Sequence, residues 1–161
     1  MELESTTLTM TILMTPDKAN FAGNVHGGTL LKYLDEVAYA CASRYAGTYV
    51  VTLSVDQVMF LQPIHVGELV TFLATVNYTG RTSMEVGVKV ITENIREKLV
   101  RHTNSCFFTM VAVDKDGKAV AVPELQPRTE DQVRRFANGQ QRREIRVELA
   151  ERYKALQRQK V

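Results

Sequence analysis

The run TLLKYLDEVAYACASRYA, residues 29–46, holds neither Gly nor Pro, and its apolar residues do not keep to one narrow face. Leu30, Leu31, Leu34, Val37, Ala38, Cys41, Ala42 and Tyr45 cover most of the circumference of a helix. The exceptions Lys32, Asp35/Glu36, Tyr39 and Ser43 follow one another at three- or four-residue steps and form a single polar stripe. With its rise per residue such a helix is about 28 Å long. A helix this apolar is predicted to be a core helix, buried by something wrapped around it.

The flanking sequence supplies the wrapping. Thr7 to Met14 is rich in Thr, Leu, Ile and Met and suits an opening strand. A turn at Pro16-Asp17 leads through a loop to Gly27-Gly28, where the helix begins. After it, Tyr49 to Val55 is β-branched and aromatic, and Leu69–Tyr78, Met84–Ile91 and Leu99–Val113 alternate with period two. Gly80, Glu93-Asn94 and Asp116-Gly117 are the turn signals between these strands. The expected class is α+β, a single domain in which an antiparallel meander curls round one long helix. Leu69 and Leu73 in one strand, and Phe107 and Val111 in another, put large apolar groups on the second sheet face. That two-sidedness predicts self-association.

The chain has 161 residues, one domain's worth, with 45% hydrophobic and 24% charged residues, which excludes disordered and fibrous classes. Charge divides it. Residues 128–161 hold ten Lys/Arg against five Asp/Glu, so residues 1–127 carry the compensating negative excess within a net charge of +2. The division expected is a core domain at 1–126 and a charged helical extension at 127–161. In that extension 129–137 reads as a short helix, Asn138-Gly139 as its stop and 140–158 as a second helix. Ile145, Leu149, Tyr153 and Leu156 form a narrow apolar stripe along the second. Overall charge is too near neutral to mark a nucleic-acid binder, and no stretch approaches the roughly 18 apolar residues of a membrane helix. The start Met1-Glu2-Leu3-Glu4 carries acid where a leader peptide would carry Lys or Arg, so a cytoplasmic protein is expected. Cys41 and Cys106 sit in apolar runs and read as two buried thiols.

Chemistry concentrates between the first strand and the helix. The first N–H groups of a helix lack internal partners and lie at its positive end. Glycines at 27 and 28 leave them open to a carbonyl or an anion, as an oxyanion hole requires, the alternative being a tight turn that simply needs Gly. Asp35, seven residues after Gly28, is a candidate base or nucleophile, since burial in the helix would raise its pKa. The alternatives are an outward Asp35 bonded to Lys32, and the neighbouring Glu36 as the working acid. Asn20 supplies an amide able to hold a water or a carbonyl. His26, His65 and His102 do not make a ligand cluster, so no metal is expected, though His26 is placed to line a site or to cap the helix. No Gly-x-Ser-x-Gly elbow, P-loop or dinucleotide fingerprint is present.

Asn20-x-x-Gly23-Asn24-x-His26-Gly27-Gly28 with Asp35 following, then Phe60-x-x-Pro63-x-x-x-Gly67-Glu68, resembles the hotdog-fold acyl-CoA thioesterases. The likeness is closer to the cytosolic acyl-CoA hydrolases, brain-type and bacterial single-domain, and runs from about Thr9 to Pro123. Tyr78-Thr79-Gly80 and Thr82-Ser83-Met84 also fit it. The resemblance implies hydrolysis of fatty acyl-CoA to free acid and CoA with no metal or redox cofactor. It implies edge-to-edge dimers that associate as trimers of dimers, and a site at the dimer seam where Asn20 of one subunit works with Asp35 of the other. It places Asn24 and His26 near the acyl or pantetheine path and the Gly27 and Gly28 amides on the thioester carbonyl. Thr79, Gly80, Arg81, Thr82 and Ser83 become candidates for CoA, with Arg81, Lys89, Arg96 and Arg101 as candidate partners of its phosphates. A nucleotide or free CoA as regulator is left open. Two rival readings are a hydratase or dehydratase of the same fold working through His26, and a non-catalytic acyl-CoA or nucleotide sensor whose basic tail touches nucleic acid.

Overall fold

The β-branched and apolar residues of 7–13 form the first strand of the computed structural model, which describes residues 5–158. The acidic start at 1–4, read above as unlike a leader, lies outside the described residues. Strand β1 (Thr7–Leu13) passes through a 3-10 turn at Pro16–Lys18 to helix α1 (Gly27–Ala46). Strands β2 (Val50–Val55), β3 (Leu69–Thr79), β4 (Ser83–Asn94) and β5 (Leu99–Ala112) follow, then helix α2 (Glu130–Arg158). The five strands form one sheet in the order β1-β3-β4-β5-β2, every neighbouring pair antiparallel. β3, β4 and β5 are the expected meander, and β1 and β2 close its two sides as edge strands.

Alternation decides which residues enter the core. Val70, Phe72, Ala74 and Val76 of β3, Met84, Val86, Val88 and Val90 of β4, and Cys106, Phe108, Met110 and Ala112 of β5 are all buried. They face Leu30, Leu34, Val37, Ala38, Cys41 and Ala42 of α1, which recur at three- and four-residue steps along one side. Each fully buried side chain of this size contributes about 1.5–3 kcal/mol relative to exposure. The helix stops at Gly47, whose φ of 68° is left-handed and whose N–H bonds the Ser43 carbonyl at 2.9 Å.

Two expectations need correction. First, α1 is buried on one face only: Leu31, of the expected apolar set, is exposed beside Asp35 and Tyr39 of the polar stripe. One chain supplies one sheet, and a sheet covers one side of a helix. Second, the two helices expected in the extension are one, α2. Asn138-Gly139 does not stop it. A mid-helix Gly costs about 1 kcal/mol against Ala, too little to break a segment otherwise rich in Glu, Gln, Arg and Ala. Ion pairs Arg134–Asp131 and Arg152–Glu148 at 2.8 and 2.6 Å, each within one turn, favour continuation. No helix among the described residues is long and apolar enough to cross a membrane.

Cys41 and Cys106 are buried and unbridged, as expected. Burial pushes the Cys41 thiol up to about 11 and the Cys106 thiol up to about 12, from an ordinary 9.0. Neither is predicted to react with an aromatic disulfide reagent at pH 8 in the folded protein, and both are predicted to react on unfolding. Above pH 9 the unfolded chain loses thiol protons that the folded chain keeps, so stability falls as pH rises through this range. Urea midpoints measured at pH 8 and pH 10.5 test the sign: Cys41→Ala should lessen the fall.

Candidate active site

The loop before α1 is tied by its own asparagine. Asn20 Oδ1 accepts the N–H groups of Ala22 at 2.9 Å and Asn24 at 3.1 Å, and the Asn20 N–H donates to the Asn24 carbonyl at 2.6 Å. An amide oxygen held by two backbone donors leaves its Nδ2 free to donate. What the Asn20 amide can still offer is thus a donor rather than an acceptor. Beside it Phe21 projects wholly into solvent. Chain continues through Val25, whose N–H reaches the Ile64 carbonyl at 2.8 Å, and His26, whose N–H reaches the Lys18 carbonyl at 3.0 Å.

His26 is the N-cap of α1 but its ring caps no helix N–H. Thr29 and Leu30 N–H groups both go to the His26 carbonyl, at 3.1 and 3.2 Å. That leaves the N–H groups of Gly27 and Gly28 as the paired donors at the positive end of a 20-residue helix. A Cβ on Gly28 would meet nothing within 4 Å, whereas one on Gly27 would stand 3.5 Å from the Phe60 ring. The donor pair is therefore open on the Gly28 side and walled by Phe60 on the other.

Asp35 is exposed in the protomer, as the outward alternative had it, but Lys32 does not hold it. Lys32 pairs with Glu36 at 3.8 Å, which gives the rival acid a surface ion-pair role. Asp35 instead accepts a 2.6 Å hydrogen bond from Thr52 of β2, with Met110 Sδ 3.5 Å from the same hydroxyl. Thr52 went unnoticed in the sequence. Its signal was a hydroxyl set among apolar Val51, Leu53 and Val55; it lies opposite the core residue Met110, which turns it toward the helix, whereas Ser54 lies opposite Thr109. The three apolar residues are exposed, as are Leu31 and Tyr39 beside Asp35 on α1. Leu53 is also the extra residue of a β-bulge between Thr52 and Ser54, the kind of kink that re-aims a side chain at an edge.

The remaining candidates occupy other places. Asn24 Oδ1 bonds His65 Nδ1 at 2.9 Å, while His102 Nε2 meets the Asn104 carbonyl and Ser105 Oγ, each at 2.9 Å. Among the described residues no three His, Cys, Asp or Glu gather where they could hold a metal. Thr79, Gly80, Arg81, Thr82 and Ser83 make the β3–β4 turn. It is pinned by the Ala112 N–H on the Thr82 carbonyl (3.0 Å) and the Val122 N–H on the Arg81 carbonyl (3.0 Å). That is the C-terminal end of α1, where Arg44 reaches the Thr7 carbonyl and Tyr45 the Pro123 carbonyl. The turn and the Gly27–Gly28 amides thus stand at opposite ends of a helix about 30 Å long, and one protomer does not bring them together. Arg101, named above for a phosphate, is engaged with Glu68 at 2.8 Å. Arg81, Lys89 and Arg96 are exposed.

Comparison with known proteins bears on this geometry. Residues 22–99 match the thioesterase superfamily. Protein VdlD of Helicobacter pylori is 50% identical over 144 residues, which are 89% of this chain and 82% of VdlD. The cytosolic acyl coenzyme A thioester hydrolase of Rattus norvegicus is 36% identical over 132 residues, 81% of this chain but 35% of that one. An apo-hexameric acyl-CoA thioesterase superposes with a TM-score of 0.86 at 38% identity, covering 89% of this chain and 92% of that chain. The acyl-CoA hydrolase of Staphylococcus aureus, solved with butyryl coenzyme A and coenzyme A, gives 0.83 at 32% identity and 94% and 91% coverage. Single alanine substitutions of that enzyme fall on an asparagine, an aspartate 15 residues later and a threonine 17 residues after that. Asn20, Asp35 and Thr52 have the same spacing. The uncharacterized acyl-CoA thioester hydrolase YkhA of Bacillus subtilis is 37% identical over 118 residues, 73% of this chain and 69% of that one. A sheet curled round one helix is the hotdog expected above, and with such relatives the chain belongs to the thioesterase superfamily.

Proposed function

We propose that the protein hydrolyses acyl-CoA thioesters, fatty acyl-CoA among them, at a site built between two copies of itself. The observation that carries the reading is a free N–H pair at the start of α1 together with a Thr52-held Asp35 on an exposed apolar face. The first suits a thioester oxygen and the second a water. Relatives and superposable structures named as acyl-CoA thioester hydrolases, one of them hexameric, support it.

The two halves of this chemistry belong to different chains. Gly27 and Asp35 are eight residues apart on one helix, about 12 Å, and one carbonyl cannot touch both. β2 is an edge strand with Val51, Leu53 and Val55 exposed. Pairing it with β2 of a second copy about a two-fold axis covers this apolar set and sets the two α1 helices antiparallel. Asp35 of one copy then faces the Asn20 loop and helix start of the other. The same axis brings the other copy's 79–83 turn to the Gly27 end, where Arg81 is available to the CoA phosphates. Such dimers are proposed to associate as trimers of dimers.

In the reaction the Gly27 and Gly28 N–H groups hold the thioester oxygen as it gains charge. Asn20 Nδ2 donates to the carbonyl or the water and keeps it in line. Asp35 takes a proton from that water, oxygen bonds to the thioester carbon, and the C–S bond breaks to release the CoA thiolate, which takes a proton. Direct attack by Asp35 through an anhydride uses the same groups. Thr52 occupies Oδ1 of Asp35 and leaves Oδ2 for the reacting atom. Asn24 and His26 border the path, and the chemistry calls for no cofactor beyond the CoA of substrate and product.

Thiol release measured across acyl-CoAs from acetyl to palmitoyl tests the assignment. Asp35→Asn is expected to lower kcat at least ~100-fold, the range of a lost general base, with the oligomer intact. Glu36→Gln is expected to leave it unchanged. Thr52→Val should lower kcat about tenfold through lost orientation of the carboxylate. Near-parental turnover in Asp35→Asn with loss in Glu36→Gln would show the wrong acid.

A further inference from the structure

The segment from Met59 to Glu68 is long and irregular, yet it forms one wall of the site and supports another. Phe60 stands against Gly27. The Ile64 carbonyl takes the Val25 N–H at 2.8 Å, and His65 Nδ1 meets Asn24 Oδ1 at 2.9 Å. Asn24 in turn is bonded to Asn20 through both its N–H and its carbonyl. A shift of residues 62–65 therefore moves the Asn20 amide and the start of α1 together.

Backbone bonds to Met14 and the Asn104 amide on the Met59 carbonyl hold the two ends of this segment, and one guanidinium gathers its middle. Arg101 on β5 donates through Nη2 to both oxygens of Glu68, at 2.9 and 2.8 Å, and to the Pro63 carbonyl at 3.0 Å. Its Nη1 reaches Gln62 Oε1 at 3.2 Å. Glu68 is only 6% exposed and also accepts the His65 N–H at 2.8 Å. Burying a carboxylate costs more than an ion pair returns unless its geometry is saturated, so this pair is poor value as a plain stabiliser. Its distinction is that a rigid planar fork meets four acceptor atoms of three residues, Gln62, Pro63 and Glu68, which the point charge of a lysine cannot do.

We propose that Arg101, acting through Glu68 and the 62–65 segment, is a positioning residue that sets the Asn20 amide and the Gly27–Gly28 donors for the reaction. The inference rests on the thioesterase reading. It also removes Arg101 from the cations available to CoA, which separates the two roles kinetically. A phosphate ligand acts mainly on KM and a positioning residue mainly on kcat.

Arg101→Lys keeps the charge opposite Glu68 and loses the fork. On the acyl-CoA that the parent hydrolyses fastest, its kcat is expected to fall about tenfold, as slight misplacement of reacting groups does, with KM within twofold and the melting temperature close to the parent's. His65→Ala cuts the same chain at an exposed side chain, so it stays informative if the lysine variant does not fold. It should give a comparable loss, and the double variant should lose no more than the worse single one. A KM rise with kcat intact, parental kcat in Arg101→Lys or in His65→Ala, or fully multiplicative losses in the double variant each overturn the proposal. A parent chain that releases no thiol from any acyl-CoA overturns the thioesterase reading and this inference with it.

Discussion

An α-helix spaces its residues along its axis, and about 12 Å separates the Gly27 amides from the Asp35 carboxylate on α1. Much of the rest follows from that separation. A thioester carbonyl is a single group, so donors to its oxygen and the acid acting at its carbon must converge within a few ångströms. One helix supplies both kinds of group but cannot bring them together. Two helices running in opposite directions can, and the open β2 edge and uncovered face of α1 are the surfaces on which such a pair would form. Asp35 tolerates this arrangement because Thr52 satisfies one of its oxygens before any partner arrives.

The apolar distribution has the same origin. Val51, Leu53 and Val55 on β2, with Leu31 and Tyr39 on α1, are exposed around an acid. In a monomer that surface would be a liability. Under the proposed pairing it becomes the seam. The Asn20 loop itself needs no partner to keep its shape, since Asn20, Asn24, Ile64 and His65 tie it to the segment that Arg101 contacts.

Much of this was legible in the sequence. The period-two strands and the long apolar run predict a sheet around a helix, and each strand lies within a few residues of its expected place because alternation is a strong local signal. Gly27-Gly28 as open donors is legible for the same reason: the orphan N–H groups of a helix start follow from backbone geometry alone. Asp35 on the polar stripe is legible too, but exposure of Leu31 is not, because the helical pattern shows what is apolar and not which side this chain covers. Thr52 and Arg101 were hidden by distance. Their partners lie 17 and 33 residues away in sequence, on other elements, and no spacing rule links them. The single helix α2 shows the opposite failure, a local stop signal outweighed by favourable neighbours.

The account stands or falls on whether one site needs two chains. Inactive Asn20→Ala and Asp35→Ala proteins, unfolded together and refolded at equal concentration, would form mixed assemblies. If Asn20 and Asp35 act across a two-fold seam, half the dimers are mixed and each has one intact site, so about a quarter of parental thiol release returns. No recovery from well-folded mixed oligomers would mean that both residues act from the same chain and would contradict the account.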